Sequence, residues 1–190
     1  MQSKEQITEE IFNLFAEFGN ADYIGEPVSQ LEHAIQAAAM AEAEGYDDEM
    51  VLAALFHDIG HLVALKQGKY ENMNGFGATA HELIGADYLK EKGFSERLIA
   101  LVYAHVIAKR YLVSKHEDYY NQLSEASKET LAFQGGKMND EEMLVFEQHP
   151  MFQLYIKMRE WDDRAKLQSF KGRGLDYYKK ICNSYLESFN

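Results

Sequence analysis

Met50-Val51-Leu52-Ala53-Ala54-Leu55-Phe56-His57-Asp58-Ile59-Gly60-His61 is the stretch that decides how this chain reads. Seven apolar residues in succession, mostly Ala and Leu, make a buried helix. The run closes on an adjacent imidazole and carboxylate. Burying a carboxylate beside Leu-Phe without a counter-charge is expensive. A multivalent cation supplies that counter-charge, and His57 and Asp58 can both turn toward it.

Working outward, the pattern is a string of helices. The central one covers about 48–58 and stops near Gly60. Before it, a first helix runs from about Lys4 to Phe18. A second follows Pro27, opens on the capping box Ser29-Gln30-Leu31-Glu32 and continues to about Glu44. After it, Lys66 to Gly77 reads as a glycine-rich loop. Thr79-Ala80-His81-Glu82 reads as the next capping box, with a helix to about Glu91. Ser95 caps another through about Arg110. The segments 115–133, 140–148, 150–160 and 174–188 complete the set. Sustained strand alternation is absent, so the expected fold is all-α, one helical bundle over residues 1–190.

Composition agrees and narrows the partners. Hydrophobic residues make up 46% of the 190, enough for a substantial core, and Pro27 and Pro150 are the only two prolines. A net charge of -12 opposes binding to nucleic acid and anionic membranes. Cys182 stands alone, which excludes an internal disulfide and a thiolate zinc site. The first residues carry no signal-peptide pattern and no apolar run approaches a membrane span, so a cytoplasmic protein is expected.

His33, His57-Asp58, His81 and His105 fall on successive helices at intervals of 23 or 24 residues (33 to 57, 58 to 81, 81 to 105). Each interval suits a helix, a turn and a return to the same level of a bundle. Taken singly, His33 or His105 reads as a hydrogen-bonded core histidine and His81 as a surface one. With Asp162 the set becomes four imidazoles and two carboxylates. Such nitrogen and oxygen donors suit iron, manganese or zinc. Six ligands exceed what one ion with an open position needs. They suit two ions bridged by a carboxylate, with Asp58 the natural bridge.

The order His33…His57-Asp58…Asp162 resembles the H…HD…D signature of the HD-domain superfamily, most of whose members are metal-dependent phosphohydrolases. The additional His81 and His105 resemble the ligands of its dinuclear members, among them the mixed-valent diiron oxygenases. Tyr23-Ile24-Gly25-Glu26, His61, Lys109, Ser127 and Arg159 bring the resemblance closest to the HD oxygenases of phosphonate breakdown. That resemblance implies one iron on His33, His57, Asp58 and Asp162, and a second on Asp58, His81 and His105. It implies an Fe(II)/Fe(III) pair, with O2 as co-substrate. The implied substrate is a small anionic organophosphonate, (R)-2-amino-1-hydroxyethylphosphonate, cleaved to glycine and phosphate. Tyr23 would cover an iron position until substrate arrives, and Glu26 would then meet the substrate amine rather than a trimethylammonium analogue.

Spacing adds its own weight to the pocket residues. Lys109 is four residues after His105 and shares its helix face. Arg159, three before Asp162, offers a planar fork to phosphonate oxygens. His61 faces the same cavity if the helix continues past Gly60. Tyr23 and Glu26 face one way if they share a helical turn. Ser127 rests on the resemblance alone. Phe76, Phe94, Phe133 and Phe146 read as packing, and His116 and His149 stand outside any motif. Two other functions compete: an HD phosphohydrolase acting on a nucleotide or phosphate ester, and a catalytically silent HD domain serving as sensor or scaffold. Oligomeric state is open.

Overall fold

The computed structural model describes residues 2–23, 25–68 and 70–189. Among them eleven helices appear, and β-structure is confined to two isolated bridges, Asp22 with Ser29 and Asn72 with Ala78. The helices are α1 (Lys4–Phe18), α2 (Gln30–Ala43), α3 (Asp48–Phe56), α4 (Ile59–Gln67), α5 (His81–Glu91), α6 (Glu96–Lys115), α7 (Glu117–Gln122), α8 (Glu125–Phe133), α9 (Asp140–Glu147), α10 (Phe152–Arg164) and α11 (Leu175–Ser188). None is long and apolar enough to cross a membrane.

Local chemistry starts most of them. Ser3, Ser29 and Asn139 each form a reciprocal capping box with Gln6, Glu32 and Glu142. Asp47, Ser95 and Ser124 cap through one side-chain bond to the third residue of the helix. These bonds satisfy backbone N–H groups that the first turn leaves open.

The apolar run forms the centre of the molecule. Every residue of Met50–Phe56 is buried, and so is every residue of Ile59–Ala64. The two helices are one buried rod, broken only at His57 and Asp58. Helices α2, α5 and α6 pack around it, α10 closes the side between α2 and α6, and α1 with α11 cover the far face. Trp161 of α10 is fully buried and donates its indole N–H to Glu44 at 3.0 Å.

The expected helices differ from these at several places, among them α10, which runs past 160 to Arg164 and so carries Asp162. Helix α4 continues beyond Gly60 as far as Gln67, where Gly68 ends it at φ 68. Gly60 is therefore not a stop. A Cβ there would lie 1.9 Å from the carbonyl oxygen of His81, so the glycine permits α4 and α5 to touch. Thr79 does not cap α5. The cap position is Ala80, at φ 55 and ψ 33 and without a side-chain bond. Helix α6 runs to Lys115, and 115–133 holds two short helices rather than one. Tyr23 and Glu26 sit in a reverse turn, closed by Glu26 N–H donating to Tyr23 O at 2.8 Å, and not in a helical turn.

Candidate metal centre

The break in the central rod is where the donors gather. Asp58 leaves the helical region at φ -103 and ψ 11, which turns its carboxylate sideways between two pairs of histidines. His33 comes from α2, His57 from the end of α3, His81 from the first residue of α5, His105 from α6 and Asp162 from α10. All six are buried, His81 included.

Their ligand atoms form two groups that share Asp58. In the first, Nε2 of His33 and Nε2 of His57 stand 3.0 Å apart. Asp58 Oδ2 lies 3.6 and 3.4 Å from them, and Asp162 Oδ1 lies 3.3 and 3.8 Å away. In the second, Nε2 of His81 and Nε2 of His105 are 3.0 Å apart. Asp58 Oδ1 lies 3.2 and 3.4 Å from this pair. One carboxylate thus offers one oxygen to each group.

The donor set fits metal ions. His33, His57 and His105 donate Nδ1–H to the carbonyls of Ala165, Ala54 and Val102, at 2.9, 2.8 and 2.6 Å. A carbonyl only accepts, so Nδ1 carries a proton in each, and Nε2 is the nitrogen turned into the group. Two nitrogens this close need a positive charge between them, a proton shared by the pair or a metal ion in its place. Ligands about 2.1 Å from an ion and at right angles stand about 3.0 Å apart, which is the spacing found. The Nδ1 of His81 has only the Glu82 carboxylate near it, at 3.7 Å.

The electrostatics match. Burial alone would raise the Asp58 carboxyl, but the surrounding imidazoles, His57 foremost, hold it well below the usual carboxylate range. Burial likewise works to raise Asp162, and the Arg159 guanidinium overcomes it. His57 is pushed down by burial and then up to about 9 by Asp58. The two carboxylates are therefore ionised and ready for cations.

A pocket of about 60 Å³ opens against this centre. Asp58, His81, His105 and Asp162 form its floor, and Tyr23, Glu26, His61, Lys109, Ser127 and Arg159 are all on its wall. Tyr23 stacks on the His33 ring, with centroids 4.0 Å apart, and its hydroxyl is 3.5 Å from Asp162 Oδ1. His61 stacks on His81 at 4.1 Å. Its Nδ1 accepts the Ala78 N–H at 3.1 Å, which leaves the proton on Nε2. Burial, helped by the charge on His81, pulls His61 down to about 3, so it is a neutral donor.

Lys109 is 2% exposed and donates to Thr130 Oγ1 and Gln134 Oε1, both at 2.8 Å. Burial, with Arg159 adding to it, lowers its ammonium to about 7. Arg159 is more committed than its spacing implied. It donates to Asp162 at 2.6 Å and to Tyr119 at 2.9 Å, and it also pairs with Asp163. Its first task is to fix Asp162. Glu26 is also engaged, accepting from Lys166 at 2.7 Å.

The sequence left out part of the wall. Phe76 lines the pocket, contrary to its reading as packing, because the loop 70–80 folds back over His61. Phe94 and Phe146 do pack in the core, whereas Phe133 is exposed. Gln30, Met73, Thr130 and Gln134 also line the pocket, and Lys166 stands behind Glu26. Gln30 alone carried a signal, since it lies three residues before His33 on the same face.

The HD-domain model matches residues 30–146, more than half of the chain. The chain belongs to the HD-domain family. The chain has relatives along nearly all its length. An uncharacterized protein, L432, of Acanthamoeba polyphaga mimivirus is 46% identical over 95% of this chain and 82% of its own. Hydroxymethylphosphonate dioxygenase of Gimesia maris is 39% identical over 96% and 89%. The [1-hydroxy-2-(trimethylamino)ethyl]phosphonate dioxygenase (glycine-betaine-forming) of Leisingera caerulea is 38% identical over 86% and 82%. By this kinship the protein is an oxidoreductase.

Proposed function

We propose that this HD domain is a metal-dependent dioxygenase that breaks the C–P bond of a small 1-hydroxyphosphonate with O2. The observation that carries the reading is Asp58, with one oxygen turned to each of two buried donor groups at the floor of a pocket whose wall includes Lys109 and Arg159. The kinship to two dioxygenases that act on hydroxyphosphonates supports it.

His33, His57, Asp58 and Asp162 would hold one iron, and Asp58, His81 and His105 the other, as an Fe(II)/Fe(III) pair. Bound there, the ions supply Lewis acidity and electrons for O2. The second group has three protein ligands, which leaves room for substrate. Lys109 and the remaining N–H groups of Arg159 orient the phosphonate. Neutral His61 donates Nε2–H to an oxygen of the ligand. Ser127 offers a hydroxyl on the same wall. Tyr23, seated over His33 and Asp162, covers the first position until substrate enters.

Glu26 gives the finer reading, that the substrate is (R)-2-amino-1-hydroxyethylphosphonate with its amine toward that carboxylate. The products are glycine and phosphate. One molecule of O2 balances the reaction without an outside reductant. A cytoplasmic setting fits a small soluble substrate.

The test is incubation of iron-loaded protein with that compound. Equal amounts of glycine and phosphate, with one O2 consumed for each, is the expected result. Phosphate released at the same rate without oxygen would replace the oxygenase with the phosphohydrolase reading.

A further inference from the structure

Three carboxylates face the pocket: Asp58, Asp162 and Glu26. The first two belong to the donor groups, and Asp162 also has Arg159. Glu26 is different. Its Oε1 accepts from Lys166 Nζ at 2.7 Å, and the two side chains are 8% and 16% exposed. Lys166 does not reach the pair from the pocket. It follows the end of α10 and lines a separate outer cleft with Tyr119, Gln122, Leu123, Ser124 and Asp163. The Glu26–Lys166 bond therefore forms part of the partition between the cleft and the pocket.

Charge makes this partition consequential. A phosphonate bound at the floor is anionic, and a bare, buried Glu26 on the same wall would repel it and remain unsolvated. A ligand with an ammonium group cures both problems by itself. A ligand without one cures neither. Lys166 supplies the missing positive charge from behind the wall. It also has somewhere to go when a ligand ammonium arrives. Its Nζ is already 3.4 Å from Ser124 Oγ, and Asp163 lines the same cleft.

We propose that Lys166 is a built-in counter-ion for Glu26, and that it lets this pocket accept hydroxyphosphonates without an amine as well as those with one. The proposal rests on the dioxygenase reading and extends its substrate class to hydroxymethylphosphonate. That reaction balances as well: the C–P bond breaks, both atoms of one O2 enter the products, and the products are formate and phosphate. Lys166 acts through Glu26 and touches no reacting atom, so it is a specificity-determining residue and not a catalytic one.

The experiment compares two substrates on the same preparations, so that losses of folded or iron-loaded enzyme cancel in the ratio. Wild type, Lys166→Met, Glu26→Gln and the double variant are assayed with hydroxymethylphosphonate and with (R)-2-amino-1-hydroxyethylphosphonate. Anaerobic calorimetric titrations read binding separately. Wild type should turn over both. Lys166→Met should shift the ratio of kcat/KM, and of Kd, about tenfold toward the amine-bearing substrate. In the Glu26→Gln background the same change should leave the ratio where it was. An unchanged ratio in Lys166→Met, or an equal shift without Glu26, overturns the role of Lys166. If wild type consumes no O2 with either compound, the dioxygenase reading falls first and this one with it.

Discussion

Lys109 lies between Thr130 and Gln134 with almost no contact with water. In an unfolded chain its ammonium loses a proton near 10.4, and in the fold near 7. Between those values the unfolded chain holds a proton that the folded chain has released. Stability therefore rises with pH across that window, and the cost of burying Lys109 is fully present below pH 7. Lys109→Met should be more stable than wild type at pH 7, by on the order of 2 kcal/mol once the unpaired Thr130 and Gln134 acceptors are set against the gain. The difference should shrink toward pH 10, as read by denaturant titration at both values. No pH dependence of the difference would show that Lys109 stays charged in the fold. The metal-ligand candidates are legible in sequence because His-Asp at the end of an apolar run has so few innocent explanations. Lys109 is legible because helical spacing ties it to His105. Lys166 and Phe76 are not, since a loop and a chain reversal bring them in from far along the sequence.

At the scale of elements, the contact of α4 with α5 matters most, because it sets the height of His81 above Asp58. Gly60 faces the His81 carbonyl and, beside it, the Gly85 backbone nitrogen. Gly60→Ala would improve helix propensity by about 1 kcal/mol. The Cβ, however, would stand 1.9 Å from backbone oxygen, and that oxygen cannot rotate away as a side chain would. The variant should lose about 1–3 kcal/mol in net stability. It should also retain less metal at the group containing His81 than at the group containing His33, measured by metal analysis during stepwise chelation. Equal retention at both would separate helix packing from the site. The same glycine explains why α4 escaped the sequence reading. Glycine after a helical run is a stop signal in solvent, but here it marks a crossing of two buried helices. The αL conformation of Ala80 was invisible for a similar reason. Nothing local favours it, and the preceding loop imposes it.

Across the whole molecule, the six donors come from α2, the break between α3 and α4, α5, α6 and α10. Ions placed there would tie together elements drawn from residues 33 to 162 of the chain. Stripping the protein with a chelator should lower its Tm, and restoring iron should raise it again. An ion present at 100 times its Kd adds about 2.7 kcal/mol to the folded state. An unchanged calorimetric Tm after complete removal would mean that these side chains do not hold metal in the folded protein. The helical architecture was visible in the sequence because a bundle is made by local periodicity and caps, which survive when the chain is read in one dimension. Shared donors with imidazole nitrogen and carboxylate oxygen carry one more consequence. Nothing in that chemistry prefers iron, and zinc and copper stand above it in the general order of affinity. A redox-silent occupant such as zinc would fit the socket and stop the chemistry. The cell's supply of metals, and the moment at which the newly made chain meets them, must therefore decide whether a given copy of this protein works or sits filled and idle.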